Sequence, residues 1–275
     1  MSTAFDHFWS ELKALRIDRG RRAENLIAWR RAPSSHRTAR RLIEEYCSEE
    51  ALPPRVDIVA LEQTAGHGRE GRSWSSPPSA GLYASLVRAL PAGVMPSLPL
   101  LVPVALVEAL ATETGGRARV KWPNDVVVDG RKLGGILIDA KAQGDRHAAV
   151  ISFGINIAAD LDVFGEDRAT SLGVLGASVS PARLFEDLVD AIDGALAAGA
   201  PGVTGAGSSP ALIDRYRSLS LHRDGDPVRW KQGDEVVGGI FRGFESDGRL
   251  RLEVDGRVDR VAAGSLLAAG DDEVA

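Results

Sequence analysis

The chain is poor in the features that mark several common classes of protein. It has a single cysteine, Cys47, in 275 residues, which excludes an internal disulfide framework and any zinc site built on several cysteines. No unbroken apolar run reaches the ~18 residues of a membrane span. The longest, Leu98 to Val107, is interrupted by Pro99 and Pro103. Positive charge is not in excess either: the formal net charge is −5, so no global basic field favours nucleic acid. Met1-Ser2-Thr3-Ala4-Phe5-Asp6 lacks the basic region and apolar stretch of a secretory signal, and no internal repeat is visible. These absences lead to the expectation of a cytoplasmic protein with neither a membrane nor a DNA partner. With 44% hydrophobic and 26% charged residues, the chain has the composition and length to bury a substantial core.

The chain divides into three stretches. Residues 1–32 are expected to form an N-terminal helical extension, because Phe5, Phe8, Trp9, Leu12 and Leu15 recur at helical spacing. Arg16, Arg19, Arg21 and Arg22 follow and are read as the solvated end of a helix packed on the body. A three-helix DNA-reading unit needs roughly 50–60 residues, more than this stretch holds. Residues 33–220 are expected to form the main domain. Helices are predicted over Arg37–Glu50, Leu98–Glu113 and Pro181–Ala198, with strands over Val56–Leu61, Leu82–Leu90, Val126–Val128, Leu133–Asp139 and Ala148–Ile157. The Gly-, Ala- and Ser-rich stretch Ala198–Ser209 reads as a surface connection, and Pro210–Arg217 as a short helix. Residues 221–275 change to short strands at Val228–Lys231, Val236–Phe244, Leu250–Val254 and Val258–Val261, with Asp247-Gly248 and Asp255-Gly256 as hairpin turns. That pattern predicts a small β-barrel.

Gly66-His67-Gly68-Arg69-Glu70-Gly71 spells the dinucleotide fingerprint G-x-G-x-x-G after the strand-like run Val56–Leu61. A dinucleotide site needs that loop to open a helix, with pyrophosphate on the helix N-terminus and an acid about 20 residues further on. Here Ser73-Trp74-Ser75-Ser76-Pro77-Pro78 follows, which cannot begin a long helix. No acidic residue occurs between Gly71 and Val107. No Gly-Lys-Ser/Thr follows either, so the P-loop reading fails as well. Two readings remain: a mobile surface loop with incidental charge, or a glycine loop that lets backbone approach a ligand while Arg69 and Arg72 reach its carboxylate or phosphate oxygens.

Three further runs carry polar groups at strand ends. Lys121-Trp122-Pro123-Asn124-Asp125 sets a cation, an aromatic face, an amide and an acid within five positions. A turn explains Pro-Asn-Asp, but it does not require Lys and Trp before them. Arg131-Lys132-Leu133-Gly134-Gly135-Ile136-Leu137 leaves a strand bare at Gly134 and Gly135, where something can approach. Phe153-Gly154-Ile155-Asn156 ends a long apolar strand in a glycine and an amide.

Taken with Glu62-Gln63-Thr64-Ala65 ahead of the glycine loop, these runs closely resemble the motifs of biotin–protein ligases, in order and spacing, from about Pro33 to Ala198. The β-rich tail resembles the SH3-like domain that closes members of that family. The resemblance implies an α+β fold of the class II aminoacyl-tRNA-synthetase-like, biotin/lipoate ligase type, a mixed sheet with helices, plus the small barrel. It corresponds to the short form of the family, without a DNA-binding domain. The implied activity uses MgATP to convert biotin to biotinyl-5′-AMP and passes biotin to a lysine of a biotin carboxyl carrier protein.

By the same resemblance, Ser34, Ser35 and His36 stand at the family's Ser-Thr-Asn triplet and, with Gln63, Gly66, His67, Gly68, Arg69, Lys132 and Gly135, would contact biotin. Arg69, Arg72, Trp74, Lys121, Trp122, Asn124 and Asn156 would serve ATP, with Mg²⁺ held through its phosphates and no protein metal ligand assigned. Arg69, Lys132 and Asp125 would be the catalytic set, Asp125 orienting or deprotonating the carrier lysine. Two departures stand out: His67 where many members have Arg, and Ser35-His36 in place of Thr-Asn, expected to alter biotin affinity without abolishing the site. Lipoate ligation and a non-catalytic biotin or nucleotide sensor are the alternative functions. The oligomeric state stays open between monomer and homodimer, which an exposed sheet edge would permit.

Overall fold

A computed structural model of the protein describes residues 4–21, 25–158, 160–162, 168–199 and 208–268. The N-terminal segment folds as α1 (Ala4–Asp18) and β1 (Leu26–Trp29), followed by α2 (Ser35–Ser48) and β2 (Val56–Ala60). Next come β3 (Gly81–Pro91), α3 (Leu98–Ala109), β4 (Ala118–Lys121), β5 (Asp125–Val128), β6 (Arg131–Gln143) and β7 (Arg146–Asn156). Helices α4 (Pro181–Gly199) and α5 (Pro210–Leu219) lead to β8 (Pro227–Gln232), β9 (Glu235–Phe244), β10 (Leu250–Val254), β11 (Arg257–Val261) and β12 (Ser265–Ala268).

Strands β1 to β7 form one seven-stranded sheet in the order β1-β2-β3-β7-β6-β5-β4. The β1–β2 pair is parallel and the others antiparallel, so the sheet is mixed. The period-2 alternation of a strand sorts its residues onto two faces. Leu82, Ala84 and Leu86 of β3, with Ala149, Ile151, Phe153 and Ile155 of β7, join the large core with Leu188 and Ile192 of α4 and the apolar residues of α3. Val87, Ala148 and Val150 meet Ala39, Ile43 and Cys47 of α2 in a smaller core on the other face. On β7 that second face continues through Ser152, Gly154 and Asn156, beyond the N-terminal end of α2. Apolar residues give way there to small and polar ones, and the opening they leave becomes the cavity described below.

The N-terminal segment departs from expectation in two ways. It is not helical throughout, because Leu26–Trp29 pairs with β2 as an edge strand of the main sheet. Its arginines are also not a solvated helix end. Arg16 is 1% exposed and lies 2.9 Å from Asp57 and 3.0 Å from Glu186, while Arg19 and Arg21 pair with Asp187, Glu186 and Asp190 along α4. Burial of Phe8 and Leu12 holds the helix on the core, and that docking places the charges beside their partners. Arg22 and most of the predicted connection between α4 and α5 lie outside the described residues.

The 18 residues Ala92–Ala109 are long and apolar enough to cross a membrane by length and composition. They comprise a 3₁₀ segment and α3, whose residues from Leu100 to Val107 are all buried in the fold.

The last five strands make an antiparallel sheet in the order β11-β10-β9-β8-β12. The Asp255-Gly256 turn has positive φ at both residues, 49° and 76°, the geometry of a tight two-residue hairpin. This sheet is fastened to the main one by the indole of Trp122, which donates to Gly248 O at 3.0 Å, and by Tyr216 of α5 packed edge-on against Phe244 at 4.8 Å.

Candidate active site

The loop resembling a dinucleotide fingerprint is a small flap. Gly68 N donates to Arg72 O at 2.7 Å and Trp74 N to Gly66 O at 3.0 Å, with His67 bridged antiparallel to Ser73. Its tip is a 3₁₀ turn over Arg69–Gly71 in which Glu70 and Gly71 have φ of 58° and 74°. The chain therefore doubles back where a dinucleotide site would start a helix. Gly66 is required for closeness: a Cβ there would lie 2.4 Å from the carbonyl of Trp74.

The flap covers a cavity of about 290 Å³. Fourteen of the residues singled out in the sequence line it: Ser34, Ser35, His36, Gln63, His67, Gly68, Arg69, Arg72, Trp74, Asn124, Asp125, Lys132, Gly135 and Asn156. Three do not. Gly66 stands behind the wall, and Lys121 is half-buried outside this cavity. Trp122, 3% exposed, lines an adjacent cavity between α3, β6 and the β9–β10 turn.

One end of the cavity is cationic. Lys132 Nζ lies 3.4 Å from Asp125 Oδ1 and 4.8 Å above the Trp74 ring. The indole rests on bare backbone, since a Cβ on Gly135 or Gly154 would come within 2.9 or 3.0 Å of it. That explains why two strands carry glycine at the same level. Arg69 reaches Gly264 O and Arg72 reaches Ser265 Oγ, each at 3.4 Å, so the connection into β12 holds the flap's cations. Burial keeps the Arg69 guanidinium below its ordinary pKa, with Arg72 adding to the effect and Glu70 and Asp125 opposing it. Asn124 and Asn156 spend amide hydrogens on backbone carbonyls, of Ile136 at 3.0 Å and Thr170 at 3.0 Å. Both amides thereby brace the strand ends that carry Asp125 and Lys132.

The other end is neutral and polar. Ser34 caps α2, its Oγ accepting from Arg37 N at 3.3 Å. Gln63 is held rigidly, Oε1 accepting from Ser35 N at 2.8 Å and Nε2 donating to Ser76 Oγ at 3.1 Å. His36 lies between Ser152 on β7 and Asp139 on β6. Burial lowers the His36 pKa below its ordinary value, outweighing the opposite pull of Asp139. Sequence reasoning missed Tyr83, Ser152 and Ser265 in the cavity wall, and Asp139 behind His36. Ser265 comes from the second sheet, and the others are single polar residues within strands, where no local pattern marks them.

A mixed sheet whose bare, glycine-lined end sits under an arginine flap, with a cationic pole beside a neutral polar one, defines an α+β domain suited to holding a small acid next to a larger anion. The Biotin/lipoate A/B protein ligase family model matches residues 31–156. A biotin–[acetyl-CoA-carboxylase] ligase of Mycobacterium tuberculosis is 32% identical over 224 residues, 77% of this chain and 78% of that protein. The bifunctional ligase/repressor BirA of Salmonella typhimurium is 35% identical over 214 residues, 76% of this chain but only 65% of its own length. The solved biotin protein ligase of Aquifex aeolicus, in complex with biotin and ATP, superposes with a TM-score of 0.67 at 22% identity, covering 89% of this chain and 98% of that one. The chain belongs to the biotin–protein ligase family.

Proposed function

We propose that this protein activates biotin with ATP to biotinyl-5′-AMP and transfers the biotinyl group to a lysine of a biotin carboxyl carrier protein in the cytoplasm. The observation that carries this reading is the single cavity in which Arg69, Arg72 and Lys132 gather at one pole and Ser35 and Gln63 at the other. The neutral pole suits the ring of biotin, which needs fixed hydrogen-bonding groups. The cationic pole suits the meeting of a carboxylate with a triphosphate, whose mutual repulsion must be offset. The carboxylate oxygen attacks the α-phosphorus in line, a P–O bond to pyrophosphate breaks, and the mixed anhydride remains under the flap, shielded from water.

Mg²⁺ would be held through the ATP phosphates at the cationic pole, where it would supply further charge neutralisation; among the described residues no three His, Cys, Asp or Glu side chains are grouped to hold a metal directly. Lys132 leaves Asp125 for the incoming carboxylate, and Asp125 then accepts the proton of the carrier lysine as its amine attacks the acyl carbon and AMP departs. The five antiparallel strands β8–β12 support reading residues 221–275 as an SH3-like domain beside a class II synthetase-like catalytic domain over 33–220. The pairing of Arg16, Arg19 and Arg21 with carboxylates of β2 and α4 supports a chain that does not use them on DNA.

The test is biotin-dependent exchange of pyrophosphate into ATP, repeated with Arg69→Ala and Lys132→Ala. Exchange that requires biotin and collapses in both variants supports the reading. Exchange driven by lipoate alone, or biotin binding without exchange, overturns it.

A further inference from the structure

Buried side chains run in single file from the neutral pole of the cavity to a carboxylate. Ser85 Oγ donates to Ser35 Oγ at 2.9 Å, and Ser85 Oγ lies 2.8 Å from Ser152 Oγ. Ser152 Oγ lies 2.8 Å from His36 Nδ1, and His36 Nε2 lies 3.1 Å from Asp139 Oδ2. Ser35, Ser152 and His36 face the cavity, while Ser85, with no exposed surface, links them from behind.

Two arrangements of the hydrogens satisfy this file. A hydroxyl has one proton to give. Ser85 gives its proton to Ser35, so Ser152 gives its own to Ser85, and Ser152 must take one from Nδ1. Nε2 faces a carboxylate and needs a hydrogen as well. With the hydroxyls running in this direction, the file closes only when His36 is an imidazolium. If Nδ1 loses its proton to solvent, Nε2 keeps its hydrogen on Asp139 and Nδ1 becomes an acceptor. Ser152 then turns toward Nδ1, Ser85 toward Ser152 and Ser35 toward Ser85. In the first state the Ser35 proton is free to point into the cavity; in the second Ser35 offers only lone pairs.

We propose that His36 sets the hydrogen-bonding polarity of Ser35, so that Ser35 donates to a carbonyl of the bound ligand when His36 is protonated and loses that donor when it is not. The inference rests on the reading of this cavity as a biotin site, whose cyclic urea presents such a carbonyl. It makes His36 a positioning residue acting through Ser152 and Ser85. The charged and titratable groups facing it are Asp139 of β6, which favours the imidazolium, and Arg40 of α2 and His67 of the flap, which oppose it; burial is the largest influence and holds the pKa down. Biotin should bind best below the His36 pKa, and its affinity should fall as pH rises through that value.

The experiment is calorimetric titration with biotin between about pH 5 and 8, paired with ¹⁵N NMR of the imidazoles in the ligand-free protein. Wild-type affinity should fall roughly three- to tenfold from the acid to the neutral end, the worth of one hydrogen bond. The slope should persist in His67→Ala and vanish in His36→Asn. In Ser152→Ala it should vanish while His36 still titrates, an outcome that a merely structural role would not produce. The neutral imidazole should carry its hydrogen on Nε2. A wild-type slope in His36→Asn, or a neutral His36 with its hydrogen on Nδ1, overturns the proposal. Absence of biotin binding at every pH would refute the ligase reading instead, and the tautomer would still decide the relay.

Discussion

Replacing Arg16 with methionine should weaken the whole protein without touching its chemistry. The guanidinium is 1% exposed, and the two carboxylates it joins, Asp57 and Glu186, are fully buried. Removing one partner of a buried ion pair costs roughly 3–5 kcal/mol, because a charge is left in a poor solvent. Here each carboxylate keeps another cation: Arg88 is 2.7 Å from Asp57, and Arg21 meets Glu186. The expected loss is therefore at the lower end, about 3 kcal/mol. At about 2–4 °C per kcal/mol for a chain of this size, the melting temperature should drop by about 6–12 °C. Acid should narrow the gap. Burial alone would raise the pKa of Asp57, but Arg88, Arg16 and Arg55 hold it below the usual carboxylate value. A depressed folded pKa contributes stability above the unfolded value of about 4, and that stability is lost as pH falls through the folded one. Urea unfolding of both proteins at neutral pH and down the acid range measures this. A loss under about 1 kcal/mol at neutral pH, or a gap unchanged in acid, would refute the reasoning.

Four further substitutions probe the site and its supports. Lys132→Ala should lower biotin-dependent pyrophosphate exchange by roughly a hundredfold or more, whereas Asp125→Asn should leave exchange largely intact and slow transfer to the carrier lysine; equal losses in both steps for Asp125→Asn would contradict its assigned role. Gly154→Ala places a methyl 3.0 Å from the Trp74 indole, so the ring must shift, and biotin affinity should fall about tenfold with the circular dichroism unchanged. Trp122→Phe deletes the indole bond to Gly248 O and should cost about 1 kcal/mol of stability, read by thermal unfolding, while pyrophosphate exchange persists at low temperature.

Much of the fold is legible in the chain because its patterns are local. The stripes of α1 and α4, the apolar runs of α3, β3 and β7, and the Asp-Gly turns of the second sheet each lie within a few neighbouring residues. Strands β1, β4 and β12 were not legible: each has only four residues, too few for a period to declare itself. The arginines after Leu12 read as solvated because their partners, Asp57 and Glu186, lie 41 and 170 positions from Arg16. Trp122 carries a motif's most conspicuous side chain, yet it points between the sheets, where its indole donates to Gly248 O.

That the glycine loop could not open a helix follows from the chain alone, since Ser73–Pro78 comes next, as does the recurrence of cations, amides and paired glycines at strand ends. Those are consequences of backbone sterics and residue chemistry, which act within a few bonds. It took the folded arrangement to bring these strand ends under one flap, to bond Ser265 of the second sheet with Arg72, and to stand Asp139 behind His36. Such pairings depend on sheet order, and β3, β7 and β6 became neighbours through burial of their apolar faces against α2, α3 and α4. The hydrophobic effect that drives this burial has no direction of its own; the strand register set by it brings the polar residues of the cavity to their places.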